Sequence, residues 1–143
     1  MAESCSPTQI VLAEDNATDV LMVREVLNRH NIHCDLKVLE DGDEALAFID
    51  KLDLDSESPC PDLLLLDLHL PKRDGEEVLR YLRGSERCAQ TPVVVLTSSD
   101  SPHDRESAEK NAALHYFRKP ITVNQFMALG LIVKEVIARA SAS

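Results

Sequence analysis

The chain has 143 residues, 44% of them apolar and 28% charged, enough for one domain with a real core that needs no disulfide or structural metal to hold it. Its net charge of −10, from 25 acids against 15 bases with no Lys/Arg cluster, excludes a nucleic-acid-binding surface as the basis of its function. No apolar run is long enough to span a bilayer, and Met1-Ala2-Glu3-Ser4-Cys5 lacks the basic-then-apolar pattern of a secretion signal, so the cytoplasm is the expected compartment.

Residues 1–7 are expected to form a flexible start, and the first strand covers 9–13. Its apolar run Ile10-Val11-Leu12-Ala13 ends on Glu14-Asp15-Asn16. A helix over 17–30 follows, with Thr18 and Asp19 at its start, where an acid suits the positive end of the helix dipole. Val20, Val23 and Leu27 form its inward stripe, and Met22 is expected to point away. A strand over 34–39 leads past Gly42, which breaks the chain, into a helix over 43–52. Residues 53–61, acidic and rich in Ser and Pro, have no period and are expected to be an exposed loop. The third strand, 62–66, is the run Leu63-Leu64-Leu65-Leu66 ending at Asp67. Leu68-His69-Leu70-Pro71 leaves it sharply, and a helix over 76–84 follows. Val93-Val94-Val95-Leu96, in a strand over 92–96, ends at Thr97 and is followed by a helix over 103–111. The fifth strand, 114–117, ends near Lys119-Pro120.

The last helix is expected over 123–140, with Thr122 as N-cap, Gln125 completing a capping box, and 141–143 as a tail. Its core stripe is Phe126, Leu129, Val133, Val136, Ile137 and Ala140, with Met127 and Leu131 on the opposite side. Cys5, Cys34, Cys60 and Cys88 form no Cys-x-x-Cys pair and are expected to be reduced thiols. Five β-α units in a row imply an α/β domain with one parallel sheet and right-handed crossovers.

In an open parallel sheet the residues just past the strand ends share one crevice. Glu14, Asp15, Asp67, Thr97 and Lys119 therefore meet. A carboxylate such as Asp67 can attack phosphorus and hold the phosphoryl group as a mixed anhydride. Crowded carboxylates repel each other, and a small hard cation, Mg²⁺, relieves this. Asp15 and Asp67 are the expected direct ligands, with Glu14 acting through water and the His69 backbone carbonyl adding a third protein oxygen. Thr97 can donate a hydrogen bond to a phosphoryl oxygen, the backbone N–H groups of Leu68 and Ser98 can face it, and Lys119 supplies positive charge.

Taken together, Glu14-Asp15-Asn16, Asp67 with Leu70-Pro71 and Asp74-Gly75 behind it, Thr97-Ser98 and Lys119-Pro120 resemble the receiver domain of a two-component response regulator. The resemblance covers nearly the whole chain in order. It implies a flavodoxin-like doubly wound sheet of five strands in the order 2-1-3-4-5. It also implies Mg²⁺, phosphotransfer from a sensor histidine kinase to Asp67, and slow self-dephosphorylation, so the protein is a phosphoacceptor regulator and not an enzyme. A cis Lys119–Pro120 bond and a switch pair, Thr97 and Tyr116, are further implications. Glu14 stands where many members have Asp. The family's first helix docks the kinase's phosphohistidine domain, which assigns Met22 to that contact. The chain ends soon after the last helix, so it resembles the standalone receivers. The insertion before the third strand and the Leu-Asp-Leu-x-Leu-Pro-x-Arg-Asp-Gly stretch bring it nearest to those paired with bacterial phytochrome kinases. That group dimerises, and with Met127 and Leu131 this predicts a homodimer through the last helix.

A nucleotide or flavin carrier on the same fold calls for a Gly- or Ser/Thr-rich phosphate loop after the first strand, where this chain has Glu14-Asp15-Asn16. An aspartyl-phosphate phosphatase calls for Asp-x-Asp there, which is absent. A phosphate-independent pseudo-receiver scaffold and a phosphate sink in a relay stand as alternatives to an output messenger.

Overall fold

The computed structural model describes residues 8–142, so the start expected to be flexible, residues 1–7, lies outside the described residues, as does Ser143. Strands and helices alternate as β1 Thr8–Ala13, α1 Ala17–Arg29, β2 Cys34–Leu39, α2 Gly42–Leu54, β3 Leu63–Leu66, α3 Gly75–Arg83, β4 Val93–Thr97, α4 Pro102–Lys110, β5 His115–Arg118, α5 Val123–Phe126 and α6 Leu129–Ala142. The five strands form one sheet in the order β2-β1-β3-β4-β5, and every pairing is parallel. Among the described residues no helix is long and apolar enough to cross a membrane.

The strand sequences explain that order. β3 and β4 are apolar at nearly every position and fully buried, as strands covered on both faces must be. β2 alternates between half-buried and exposed residues, as suits an edge strand. Successive side chains then feed two cores. Val11, Ala13, Leu64, Leu66, Val93 and Val95 pack with α2, α3 and Ala108 of α4. Ile10, Leu12, Leu63, Leu65, Val94 and Leu96 pack with α1, Phe126 and α6. Each buried leucine contributes about 2 kcal/mol of transfer free energy. The two layers hold the carboxyl ends of β1, β3, β4 and β5 in fixed relation.

Four helices start on side-chain caps. Asn16, Asp41, Ser101 and Thr122 accept from the amides of Asp19, Glu44, Asp104 and Gln125. Thr122 acts as its sequence predicts.

Three expectations need correction. The last helix is not continuous: residues 127–128 form a turn between α5 and α6. There the Met127 carbonyl accepts from His30 Nε2 at 2.9 Å, and a Cβ on Gly130 would lie 2.0 Å from the His30 ring, so α1 ends directly on the break. The break shifts the helical phase, and Met127 packs partly into the core while Leu131 stays exposed. On α1, Met22 lies only about 100° round from Val23 and is half-buried at the stripe's flank; Leu21 is the outward residue, 65% exposed.

The cysteines are the third correction. Cys60 and Cys88 form a disulfide, with Cα atoms 5.6 Å apart, and Cys34 is a half-buried free thiol. The 53–61 segment is accordingly fastened down. Arg87 donates to the carbonyls of Leu52, Asp55, Ser56 and Ser58, and Asp53 accepts from Ser85 Oγ at 2.6 Å and Arg87 N at 3.2 Å. These contacts bring the two thiols together across 28 positions, a proximity that spacing in the chain does not reveal.

Candidate functional site

The loops at the carboxyl ends of β1, β3, β4 and β5 converge on Asp67. Asp67 N–H donates to the Ala13 carbonyl at 3.1 Å, which ties the end of β3 to the end of β1. Glu14 and Asp67 are buried there and Asp15 is exposed beside them. Each of the three offers a carboxylate oxygen, and these oxygens lie within 4.8 Å of one another. Lys119 reaches in from beyond β5. Its Nζ stands 2.6 Å from Glu14 Oε1, 2.8 Å from Asp19 Oδ2 and 3.0 Å from Asp67 Oδ2.

Charge in this confined space has opposite consequences for the two partners. Burial pushes the Glu14 carboxyl up to about 7; the hydrogen bond from Lys119 works against that, and the Asp67 charge adds to it. Burial also works against the Lys119 ammonium, but hydrogen bonds to Asp19 and Glu14 and the charge of Asp67 outweigh it and push its pKa up. Three acids around one lysine leave the cluster short of positive charge. An oxygen-only donor set of this kind fits a small divalent cation held by one or two carboxylates.

The loop after Asp67 is shaped by Gly75. A Cβ there would lie 2.3 Å from the Asp67 carbonyl oxygen and 2.4 Å from Leu68 Cα, so only glycine lets α3 start this close. Gly75 N–H donates to the Leu68 carbonyl at 2.8 Å, and His69 N–H donates to Asp67 Oδ1 at 2.9 Å. Leu68 is buried between these contacts and Ser98 is exposed next to Thr97. The His69 amide thus faces the Asp67 carboxylate, a contact that no pattern in the chain signals. Its imidazole crosses to α4, with Nε2 2.7 Å from Asp104 Oδ2, and the hydrogen bond to Asp104 pushes its pKa up.

Thr97 is fully buried at the end of β4, its Oγ1 accepting from Ser99 N at 3.3 Å. Tyr116 is half-buried, its hydroxyl donates to the Ser99 carbonyl at 2.8 Å, and the Arg105 guanidinium sits 4.4 Å from its ring centre. Lys119–Pro120 is trans, as no cis peptide occurs among the described residues. The trans form is the lower in energy for X–Pro bonds, and the Lys119 amide is fixed by donation to the Thr97 carbonyl at 2.8 Å. Lys119 therefore reaches the acids without the isomer that the family resemblance implied.

Glu14, Asp15, Asp67 and Lys119, each predicted from its place past a strand end, are brought together, while Thr97 meets Lys119 through its backbone carbonyl and turns its hydroxyl to Ser99. Asp19 and Asp104 were not predicted. Asp19 carried a signal: it is the acid in the first turn of the helix that begins directly after Glu14-Asp15-Asn16, at the same edge of the sheet. Asp104 carried none.

The response regulator receiver domain profile matches residues 10–129. Response regulator Rcp1 of Synechocystis sp. is 43% identical over 102 residues, covering 71% of this chain and 69% of Rcp1. A probable methanogenesis regulatory protein, FilR2 of Methanothrix harundinacea, is 37% identical over 120 residues, covering 84% of this chain and 77% of FilR2. The Mn²⁺-bound structure of Rcp1 superposes with a TM-score of 0.79 at 34% identity, covering 90% of this chain and 93% of that one. The phosphorylated cyanobacterial phytochrome response regulator RcpA superposes with a TM-score of 0.80 at 30% identity, covering 91% and 93%.

Proposed function

Since the chain belongs to the response regulator receiver family, we propose that Asp67 accepts a phosphoryl group from a partner histidine kinase and that the Thr97/Tyr116 pair relays the change. The observation that carries this reading is the meeting of Glu14, Asp15 and Lys119 around the Asp67 carboxylate. An Asp67 carboxylate oxygen forms the bond to phosphorus as the phosphorus–nitrogen bond of the kinase's phosphohistidine breaks, and the electron pair stays on the imidazole. Lys119 pairs with the phosphoryl oxygens, and Thr97 with the Leu68 and Ser98 amides supplies hydrogen bonds to them. Asp15 and Asp67, with the His69 carbonyl and with Glu14 through water, would hold Mg²⁺. When bound, Mg²⁺ supplies charge neutralisation between the carboxylates and the incoming phosphoryl oxygens. Rcp1, a relative of this chain, has been solved with Mn²⁺, which supports a divalent site.

The kinase is proposed to be of the phytochrome type, because RcpA is a phytochrome response regulator. Such a kinase would meet this protein in the cytoplasm. Leu21 on α1 is the exposed apolar residue offered to it, and Leu131 on α6 supports a homodimer.

Intact mass after incubation with acetyl phosphate tests the acceptor chemistry. The expected result is a phosphoryl gain with Mg²⁺ that is absent in Asp67→Asn and in metal-free protein. Folded protein that gains nothing would be a scaffold acting by binding alone. Phosphoryl passed back to the kinase or onward to a relay partner would mark a phosphate sink.

A further inference from the structure

A chain of polar contacts runs from Asp67 to the switch residues by way of α4. The His69 amide is fastened to the acceptor carboxylate at 2.9 Å. Its imidazole bonds Asp104 Oδ2 at 2.7 Å, and because a carboxylate only accepts, the ring Nε2 is the donor. Asp104 is buried in the first turn of α4, and its amide donates to Ser101 Oγ at 3.1 Å. Ser101 N donates to Ser99 Oγ at 3.3 Å. Ser99 in turn holds both switch residues: its amide bonds Thr97 Oγ1 and its carbonyl accepts from Tyr116. The neighbouring cation, Arg105, is engaged by Asp100 at 2.7 Å, so His69 is the basic partner that Asp104 uses.

We propose that the His69–Asp104 hydrogen bond is a latch. In the unphosphorylated protein it ties α4 and residues 98–101 to the acceptor loop and opposes the rearrangement that brings Thr97 to a phosphoryl group. The latch rests on the reading of Asp67 as phosphoacceptor. A phosphoryl group on Asp67 adds negative charge and three strong acceptor oxygens beside the residue whose imidazole holds Asp104. Asp67, which holds His69 only by its amide before, then presents an acceptor that competes with Asp104 for the imidazole N–H as well, and α4 is released. His69 and Asp104 are positioning residues in this scheme, acting on the reacting groups through the loop and through Ser99.

The test compares the rate of acetyl phosphate phosphorylation, at fixed Mg²⁺, in the wild type, His69→Ala, Asp104→Ala, the double variant and Asp104→Asn. Each alanine variant is expected to react roughly two- to tenfold faster, the span set by the net worth of one hydrogen bond. The double variant should be no faster than either single one. Asp104→Asn, which keeps an acceptor oxygen, should fall between. Amide exchange at residues 99–104 should accelerate in the unphosphorylated variants with the thermal midpoint nearly unchanged. His69 is exposed, so its variant remains a valid test even where Asp104→Ala is poorly folded. Wild-type rates in both single variants, or effects that multiply in the double, overturn the latch and leave the acceptor reading intact. A wild type that gains no phosphoryl group overturns both.

Discussion

Gly75 shows how one missing side chain can govern a site. It is not itself chemical, yet a Cβ at this position would overlap the Asp67 carbonyl and Leu68 Cα. Gly75→Ala must push the start of α3 away from the acceptor loop. The expected cost is about 1–3 kcal/mol, the usual range for overpacking, read as a lower urea midpoint. Acetyl phosphate phosphorylation should slow in protein that is still folded, because the Asp67 carboxylate turns with its backbone. At this scale the sequence was informative where position alone fixes a residue. Glu14 and Asp67 follow directly after their strands and Thr97 closes its own, and strand ends are readable from apolar runs. Asp104 was not readable, because its bond to His69 joins a loop to a helix across 35 positions and no periodicity links them.

Elements were legible in number and type, and less so in phase. The single helix expected over 123–140 fitted its apolar stripe, but the stripe could not show that His30 claims the Met127 carbonyl and separates α5 from α6. On α1 the outward residue is Leu21, so the proposed kinase contact is tested there. Leu21→Lys is expected to slow transfer from the cognate kinase at least tenfold and to leave acetyl phosphate phosphorylation unchanged; equal loss with both donors would remove α1 from the docking surface. At the opposite end of the sheet the 53–61 segment is held by Arg87 and by the Cys60–Cys88 bond. Closing 28 positions restricts the unfolded chain by about 3.6 kcal/mol. Unfolding with and without reductant should differ by about that amount, and Cys34 but neither Cys60 nor Cys88 should react with a thiol reagent in denaturant before reduction. Asp53 is held below the usual carboxylate range, chiefly by the Ser85 hydroxyl and then by the Arg87 and Glu86 amides. Its folded pKa is depressed, so its contribution is present above the ordinary Asp pKa and lost as pH falls through the folded value. Asp53→Asn should therefore lower stability at neutral pH and flatten the decline in acid.

For the whole molecule, alternating apolar runs and helical patterns were enough to foresee a parallel sheet, and the strand order followed from the family resemblance. Association was not settled by that pattern, since Met127 turned inward and left Leu131 as the exposed apolar residue of α6. Light scattering at micromolar concentration is expected to give a dimer mass, and Leu131→Glu a monomer mass with secondary structure intact. A wild-type monomer, with and without acetyl phosphate, would end the dimer proposal.

Lys119 meets Asp19 across 100 positions of chain, and it arrives from beyond the last strand in the chain. The cluster therefore does not exist in any fragment or half-folded intermediate. Each of its members must wait for loop closures that are slow and entropically costly. If Asp67 is the phosphoacceptor as proposed, phosphate uptake doubles as a built-in inspection of finished molecules. On the proposed reading, a nascent or damaged copy would offer a kinase no assembled carboxylate cluster to act on.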